Sequence, residues 1–299
     1  MKSLKKLLIP TCAILLLMAL GCRSKNQDER PVIAVSIEPQ RQMLEQLAGD
    51  KFRIVTLMPN GENPETYEPS SARRMDLGDA KAYFITGNLL FEENLRMSER
   101  DTSKFYDTSD GIDLLYGTHT RPGGHAGFLP GVKGETDKRH LADPHIWSSV
   151  KNMRKMARNI TETLIELDKE NIEEYEQRYD KYVSHLDSLD AAFQKKLLDN
   201  PSKSFFIWHP SLSYFARDYN LNQISFSSEN KEISAERMAE YLALVKDYNV
   251  KTFIFQRELD SRQADVIKNN LGVGVVQFDG LNYDWENELS KVVDGITKK

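Results

Sequence analysis

NIEEYEQRYDKYVSHLDSLDAAFQKKLLD, residues 171–199, contains neither glycine nor proline. Its apolar residues recur at intervals of three and four, the spacing of one face of an α-helix: Ile172, Tyr175, Tyr179, Tyr182, Leu186, Leu189, Phe193 and Leu197. A helix of this length would be about 43 Å long. The stripe is wide and aromatic, unlike the narrow seam of a coiled coil. The pattern predicts one long helix that packs against two lobes and restricts hinge motion between them.

Short β-rich runs lie on both sides of this helix. Those before it are residues 32–37, 52–57 and 82–86, and those after it are residues 204–208, 223–226, 252–255 and 274–278. Segments with helical character, such as 235–248 and 262–271, separate the runs. This alternation favours parallel sheets covered by helices. We therefore predict an α/β fold of two lobes, each a small, mainly parallel sheet with flanking helices, joined by one long rigid helix.

The N-terminus indicates export. Lys2, Lys5 and Lys6 precede an apolar stretch, residues 7–20, that is too short to span a bilayer comfortably. Gly21 and Cys22 follow it and resemble a bacterial lipobox. We predict a lipoprotein signal peptide over residues 1–22, with Cys22 as the lipidated residue; an ordinary cleaved signal peptide is the alternative. Lipid-anchored to a bacterial membrane, the chain would face the periplasm or the exterior.

Composition narrows the possible functions. Cys12 lies within the signal, so the mature chain would have neither a disulfide nor a thiolate metal ligand. The net charge of -5 gives no electrostatic reason for nucleic-acid binding. We divide the remainder into a polar tether (23–30), an N-terminal lobe (31–168) with a loop over 117–142, the linking helix (169–200) and a C-terminal lobe (201–299).

Candidate metal ligands follow the predicted strands. His209 follows the run 204–208, Asp279 follows the run 274–278, and His145 lies in Asp143-Pro144-His145-Ile146-Trp147. A glutamate-bearing loop, residues 59–69, follows the run 52–57. Open α/β sheets bind ligands at the carboxyl ends of their strands. Four neutral or anionic donors from two lobes could close one shell around a divalent cation and leave no position for chemistry.

The loop 117–142 carries three further histidines, His119, His125 and His140. It is rich in glycine, so we expect it to move, and its imidazoles could capture a cation for the main site. A solvated linker with incidental histidines is the alternative. His185 lies within the long helix and is expected to be a surface residue.

These motifs resemble the ZnuA/TroA-like family of zinc and manganese substrate-binding proteins of bacterial ABC transporters. The family motif Asp-Pro-His-(Ile/Val)-Trp is matched in full by residues 143–147. His209, with Tyr214-Phe215 and Tyr219-Asn220-Leu221 after it, is similar to a second motif. In the Pro-Gly-x-Asp-Pro-His-x-Tyr-Glu-Pro motif, Glu65 replaces the histidine, and Gln256 stands where a glutamate is often found.

The resemblance implies a metal site of Glu65, His145, His209 and Asp279, with Glu62 as an alternative to Glu65. It implies a non-enzymatic lipoprotein that delivers its cation to an ABC permease. Zn²⁺ is the favoured cargo, and Mn²⁺ or Fe²⁺ is the alternative because a carboxylate hardens the site. Two other classes stay open: a metallohydrolase, although the chain lacks His-Glu-x-x-His, and a metal-binding adhesin or interaction lipoprotein.

Overall fold

The computed structural model describes residues 28–64, 66–99, 101–116, 142–226, 235–256 and 261–298, except the side chains of residues 237 and 261–263. Cys22, Glu65, His119, His125 and His140 lie outside the described residues. The unit Pro31–Lys299 is compact. Within the described residues, no helix combines the length and the apolar character needed to cross a membrane.

The first lobe contains a four-stranded parallel sheet. Its strands are β1 (Val32–Val35), β2 (Arg53–Thr56), β3 (Ala80–Ile85) and β4 (Phe105–Asp107), in the order β2-β1-β3-β4. Its helices are α1 (Glu38–Ala48), α2 (Ser71–Gly78) and α3 (Leu90–Ser98). Every residue of β1, Val-Ile-Ala-Val, is buried, as expected for a central parallel strand that is covered on both faces.

The second lobe repeats the same strand order. Its strands are β5 (Ser204–Ile207), β6 (Asn222–Ser225), β7 (Thr252–Phe255) and β8 (Gly274–Gln277), in the order β6-β5-β7-β8, all parallel. Its helices are α6 (Ser213–Asp218), α7 (Ala235–Asp247), α8 (Ser261–Leu271) and α9 (Trp285–Thr297). The edge strand β8 is the least buried of the four, less buried than the other edge strand β6.

Two helices connect the lobes. Helix α4 (Val150–Leu167) follows a 3-10 turn (Ile146–Ser148), and the long helix α5 (Ile172–Leu198) follows a second 3-10 turn (Lys169–Asn171). Helix α5 has 27 residues and is therefore about 40 Å long. The Tyr182 hydroxyl near its middle contacts Gln42 of the first lobe, whereas Phe193 packs against Phe215 of the second.

One hydrophobic core runs through both lobes and α5. It includes Val35 in the first lobe, Leu186 in α5, and Phe215 and Val292 in the second lobe. A smaller core lies within the second lobe, around Phe253, between the sheet and helices α7 and α8. The continuous core is the feature that resists relative motion of the lobes, because opening them would expose apolar surface to water.

The predicted α/β fold of two lobes and a joining helix is confirmed. The structure corrects details at the ends of elements. Ile172 is 36% exposed and does not belong to the buried stripe of α5. The run predicted over residues 32–37 forms a strand only over Val32–Val35, and the run predicted over residues 204–208 ends as a strand at Ile207.

Candidate metal centre

His145 is held by the carboxylate two residues before it. Asp143 is fully buried, and its Oδ1 accepts hydrogen bonds from the His145 backbone N–H at 3.0 Å and from the His145 Nδ1 at 2.9 Å. A carboxylate at Nδ1 favours the tautomer with the proton on that nitrogen, in which Nε2 is the metal-binding atom. Because His145 is only 3% exposed, its ring has little freedom to turn away.

His209 is fixed through its backbone. It lies two residues beyond the end of β5 and is half-buried. Gln256, directly after the neighbouring strand β7, accepts from the His209 N–H at 3.1 Å and donates to the His209 carbonyl at 2.8 Å. The same amide also donates to the Ser211 hydroxyl at 2.8 Å. Gln256 thereby attaches the His209 turn to the next strand of the sheet.

The two imidazoles meet between the lobes. His209 Nε2 lies 3.4 Å from His145 Nε2, and the rings are 5.1 Å apart with an interplanar angle of 71°. Two imidazole nitrogens that bind one tetrahedral Zn²⁺ at about 2.0–2.1 Å are about 3.3–3.4 Å apart. The observed separation is therefore compatible with two ligands of one cation. It also suits a hydrogen bond from one imidazole to the other.

Asp279 lies two residues after the end of β8. Its backbone N–H donates to Glu288 Oε2 at 3.0 Å, and its Oδ1 accepts from the Leu281 N–H at 3.2 Å. The next residue, Gly280, accepts at its carbonyl from Trp147 Nε1 at 2.8 Å. The Trp147 ring in turn lies 5.3 Å from the His145 ring. Asp279 is thus connected to the His145 segment across the lobes.

The described residues contain no group of three or more His, Cys, Asp or Glu side chains arranged to hold a metal. The structure brings His145 and His209 together but does not place Asp279 with them in such a group, and Glu65 lies outside the described residues. The four-residue ligand set stays a prediction.

The chain directly after Glu65 is attached to the first lobe. The Tyr67 hydroxyl donates to the Leu57 carbonyl at 2.7 Å, and its ring packs edge-on against Phe91. Glu68 accepts from Asn94 at 2.5 Å and lies 3.7 Å from Arg74. Glu68 therefore fixes the loop. Glu62, the alternative ligand, is exposed.

The other histidines differ from this pair. His185 lies on the exposed face of α5, where its Nε2 is 2.6 Å from Glu286 Oε2, in agreement with its interpretation as a surface residue. The capture role of His119, His125 and His140 falls outside the described residues. Only the base of their loop is described, where Tyr116 and Ala142 form an antiparallel bridge.

Sequence reasoning missed two functional candidates. Gln256 was noted only as a departure from a motif, and Tyr214 only as part of a motif. Tyr214 is fully buried, and its hydroxyl donates to the Asp143 carbonyl. Burial raises its pKa, so the hydroxyl keeps its proton. A polar side chain directly after a strand was the available signal for Gln256, but no local pattern predicts the contact that Tyr214 makes.

Comparison with known proteins identifies the family. The model of the family "ZnuA: Zinc-uptake complex component A periplasmic" matches residues 33–293. The chain belongs to the ZnuA family. A crystal structure of ZnuA superimposes with a TM-score of 0.75 and 31% identity, over 90% of this chain and 98% of that chain. This result confirms the resemblance that the motifs predict.

Two curated relatives of this ZnuA-family chain carry functional names. It is 26% identical to the high-affinity zinc uptake system protein ZnuA of Bacillus subtilis, over 89% of this chain and 80% of the relative. It is 29% identical to the zinc-binding lipoprotein AdcA of Streptococcus pneumoniae, over 91% of this chain but only 54% of AdcA. The chain thus spans about half the length of AdcA.

A structure of FpvC from Pseudomonas aeruginosa with Ni²⁺ also matches, with a TM-score of 0.70 over 90% of this chain and 96% of that one. At 19% identity this likeness shows the fold alone. The ZnuA-family relatives are binding proteins of metal uptake systems, so the prediction that the chain is not an enzyme is confirmed.

Proposed function

We propose that this chain is the substrate-binding component of an ABC importer and that its cargo is Zn²⁺. The observation that carries the proposal is the pair of Nε2 atoms 3.4 Å apart, one from each lobe, in a chain of the ZnuA family. That separation equals the distance that a tetrahedral zinc imposes on two imidazole ligands, about 3.3–3.4 Å.

The remaining ligands in this proposal are two carboxylates, Glu65 and Asp279. Two carboxylates would neutralise the dication, and the two neutral imidazoles would complete a shell of four. Such a shell leaves no coordination position for water, which suits a carrier rather than a hydrolase. A shell of four requires both carboxylates, Glu65 and Asp279, to join the histidine pair.

Zinc is proposed over manganese because imidazole nitrogen is a better ligand for Zn²⁺, and because mixed N/O sites follow the order Mn²⁺ < Fe²⁺ < Zn²⁺. The second candidates are Mn²⁺ and Fe²⁺, which the hard carboxylate oxygens of Glu65 and Asp279 favour. The alternative to an importer component is a metal-binding adhesin or interaction lipoprotein, which would bind a cation at the same residues but would not deliver it to a permease.

Location and delivery belong to the same proposal. Anchored by a lipid on Cys22 to a bacterial membrane, the chain would face the periplasm or the exterior and pass its cation to the permease. The name of AdcA, a zinc-binding lipoprotein, and the periplasmic description of the family support this location. In this scheme His119, His125 and His140 would capture the cation for the main site.

Alanine substitution tests the histidine ligands. His145→Ala and His209→Ala should each weaken Zn²⁺ binding by at least about 100-fold in a competition titration with a chromogenic chelator, because each removes a quarter of the shell. His185→Ala is the matched control, and we expect it to bind like the wild type. X-ray absorption of the wild-type complex should show two imidazole nitrogens at about 2.0–2.1 Å.

Two results would contradict the proposal. A wild-type protein that takes up no Zn²⁺ from the chelator is not a zinc carrier. An equal loss of Zn²⁺ affinity in His185→Ala and His209→Ala would show that the metal site lies elsewhere.

A further inference from the structure

The base of the histidine-bearing loop is joined directly to the segment that carries His145. Asp143 N–H donates to the Leu115 carbonyl at 2.8 Å, next to the bridge between Tyr116 and Ala142. The two chain segments therefore run antiparallel up to a point two residues before His145. Any shift of this pair of segments would move the His145 backbone with it.

A single hydroxyl from the second lobe closes this junction. Tyr214 Oη donates to the Asp143 carbonyl at 2.8 Å and accepts from the Leu115 N–H at 3.2 Å. It thus binds both segments with the donor and the acceptor that a phenol offers. Tyr214 is fully buried in α6, which begins four residues after His209.

The surroundings hold the Tyr214 ring in place. The Arg217 guanidinium lies 5.1 Å from the centre of the ring and donates to the Asp113 carbonyl at 2.9 Å. One turn of α6 therefore contacts the first lobe at Asp113, Leu115 and Asp143. Because the turn that carries His209 leads directly into α6, these contacts connect the backbones of the two histidines.

We propose that Tyr214 is a positioning residue that sets the His145 to His209 separation and, through Leu115, couples the base of the histidine-bearing loop to the metal site. The proposal rests on the function proposed above and assigns a further residue to the same site. Residues of this kind, which touch no metal but orient its ligands, typically change metal affinity by about 10–100-fold.

The test compares two tyrosines of the same region. Tyr214→Phe removes only the hydroxyl that joins the lobes. Tyr219→Phe, the matched control, removes the hydroxyl that donates to Asp190 Oδ1 in α5 at 2.7 Å, from a ring that is also buried although 8% exposed. Each variant loses a hydroxyl that donates one hydrogen bond of 2.7–2.8 Å, so both should show a fall in the midpoint of urea unfolding without metal.

Metal binding should separate the two variants. Tyr214→Phe should bind Zn²⁺ about tenfold or more weakly, and its Co²⁺ complex should show a changed visible absorption spectrum, because ligand geometry determines that spectrum. Tyr219→Phe should keep both the affinity and the spectrum of the wild type. Wild-type affinity and spectrum in Tyr214→Phe, or equal losses in both variants, would overturn the proposal.

A measurement on the wild type keeps the proposal testable if Tyr214→Phe does not fold. Coupling is reciprocal, so Zn²⁺ should slow hydrogen exchange of the Leu115 amide about tenfold more than that of the Asn222 amide, which bonds within the second lobe. Equal slowing at both amides would overturn the proposal. If the wild type binds no Zn²⁺ at all, the proposed function is wrong. If the wild type binds Zn²⁺ but the Tyr214→Phe and hydrogen-exchange results contradict the expectation, only the role of Tyr214 is wrong.

Discussion

At the scale of single residues, the site is built by side chains that fix the two imidazoles in different ways. Asp143 orients the His145 ring itself, whereas Gln256 holds the backbone on both sides of His209. His145 is almost fully buried, whereas His209 is half-buried. The two ligands proposed for one cation are therefore held by different means, one at its ring and one at its backbone.

Glu65→His tests the carboxylate at the position where the family motif has histidine. Replacing a hard oxygen ligand with imidazole should raise the preference for Zn²⁺ over Mn²⁺, because Mn²⁺ depends more on oxygen donors. A competition titration of wild type and variant with both metals measures the change. Glu62→His, at the exposed alternative position, separates the two glutamates: a change in selectivity there and not in Glu65→His would assign the ligand to Glu62.

Two results would contradict this expectation. An unchanged selectivity in Glu65→His would exclude Glu65 from the shell. Tighter binding of Mn²⁺ than of Zn²⁺ by the wild type would contradict the zinc assignment.

At the scale of secondary-structure elements, a buried carboxylate joins β1, β3 and α3. Glu92 lies in the first turn of α3 and is 2% exposed. It accepts hydrogen bonds from the backbone N–H groups of Thr86 at 2.7 Å and Gly87 at 2.8 Å, and from the Ser36 hydroxyl. Gly87 is required beside it: its φ is +92°, and a Cβ there would approach Asp107 Oδ1 to 2.4 Å.

Glu92 should make the first lobe less stable at higher pH. Burial raises the pKa of Glu92 from 4.5 to about 7. Between these values the folded chain keeps a proton that the unfolded chain releases, so the stabilisation from this group falls as pH rises. The difference in unfolding free energy between wild type and Glu92→Gln should therefore fall by about 3 kcal/mol between pH 4.5 and 8.

Urea unfolding of the metal-free protein at both pH values measures this difference. Glu93→Gln, an exposed neighbour in the same helix, is the control. A difference between wild type and Glu92→Gln that does not vary with pH would show that Glu92 ionises in the folded chain as it does in the unfolded one.

At the scale of the whole molecule, the continuous core and α5 restrict the motion of the lobes. Polar contacts add to them: Trp285 Nε1 donates to Gln42 Oε1 at 3.2 Å, and the Tyr283 hydroxyl donates to Glu45 at 2.6 Å. We therefore expect the radius of gyration to stay the same when Zn²⁺ binds. Small-angle scattering with and without Zn²⁺ checks this, and a clear decrease on binding would indicate hinge closure instead.

Membrane attachment is also a property of the whole molecule. Cys22→Ser should leave the precursor unprocessed or release the protein into the soluble fraction of cells, because a hydroxyl cannot form the thioether to a lipid. Ser24→Ala, two residues away in the tether, should remain with the membrane. Continued acylation of Cys22→Ser would exclude Cys22 as the anchored residue.

The architecture and one strong site motif can be predicted from local sequence patterns. The pattern over residues 171–199 predicts α5, and the alternating runs predict both sheets, because helical and strand periodicity follow from local backbone geometry. The ends of elements are predicted less accurately. Ile172, at the start of α5, is exposed because neither lobe covers it, and no local pattern indicates how far each lobe extends. The motif around His145 predicts a ligand, but the roles of Glu65 and Asp279 stay predictions.

The meeting of His145 and His209, which are 64 residues apart but 3.4 Å from each other at Nε2, is visible only in the folded chain. The same holds for the hydrogen bonds of Gln256 and Tyr214, which no spacing in the sequence predicts. The physical reason is that these contacts depend on how one lobe packs against the other. That packing is fixed by a core with members in every part of the chain, whereas a sequence pattern reports only the residues near it.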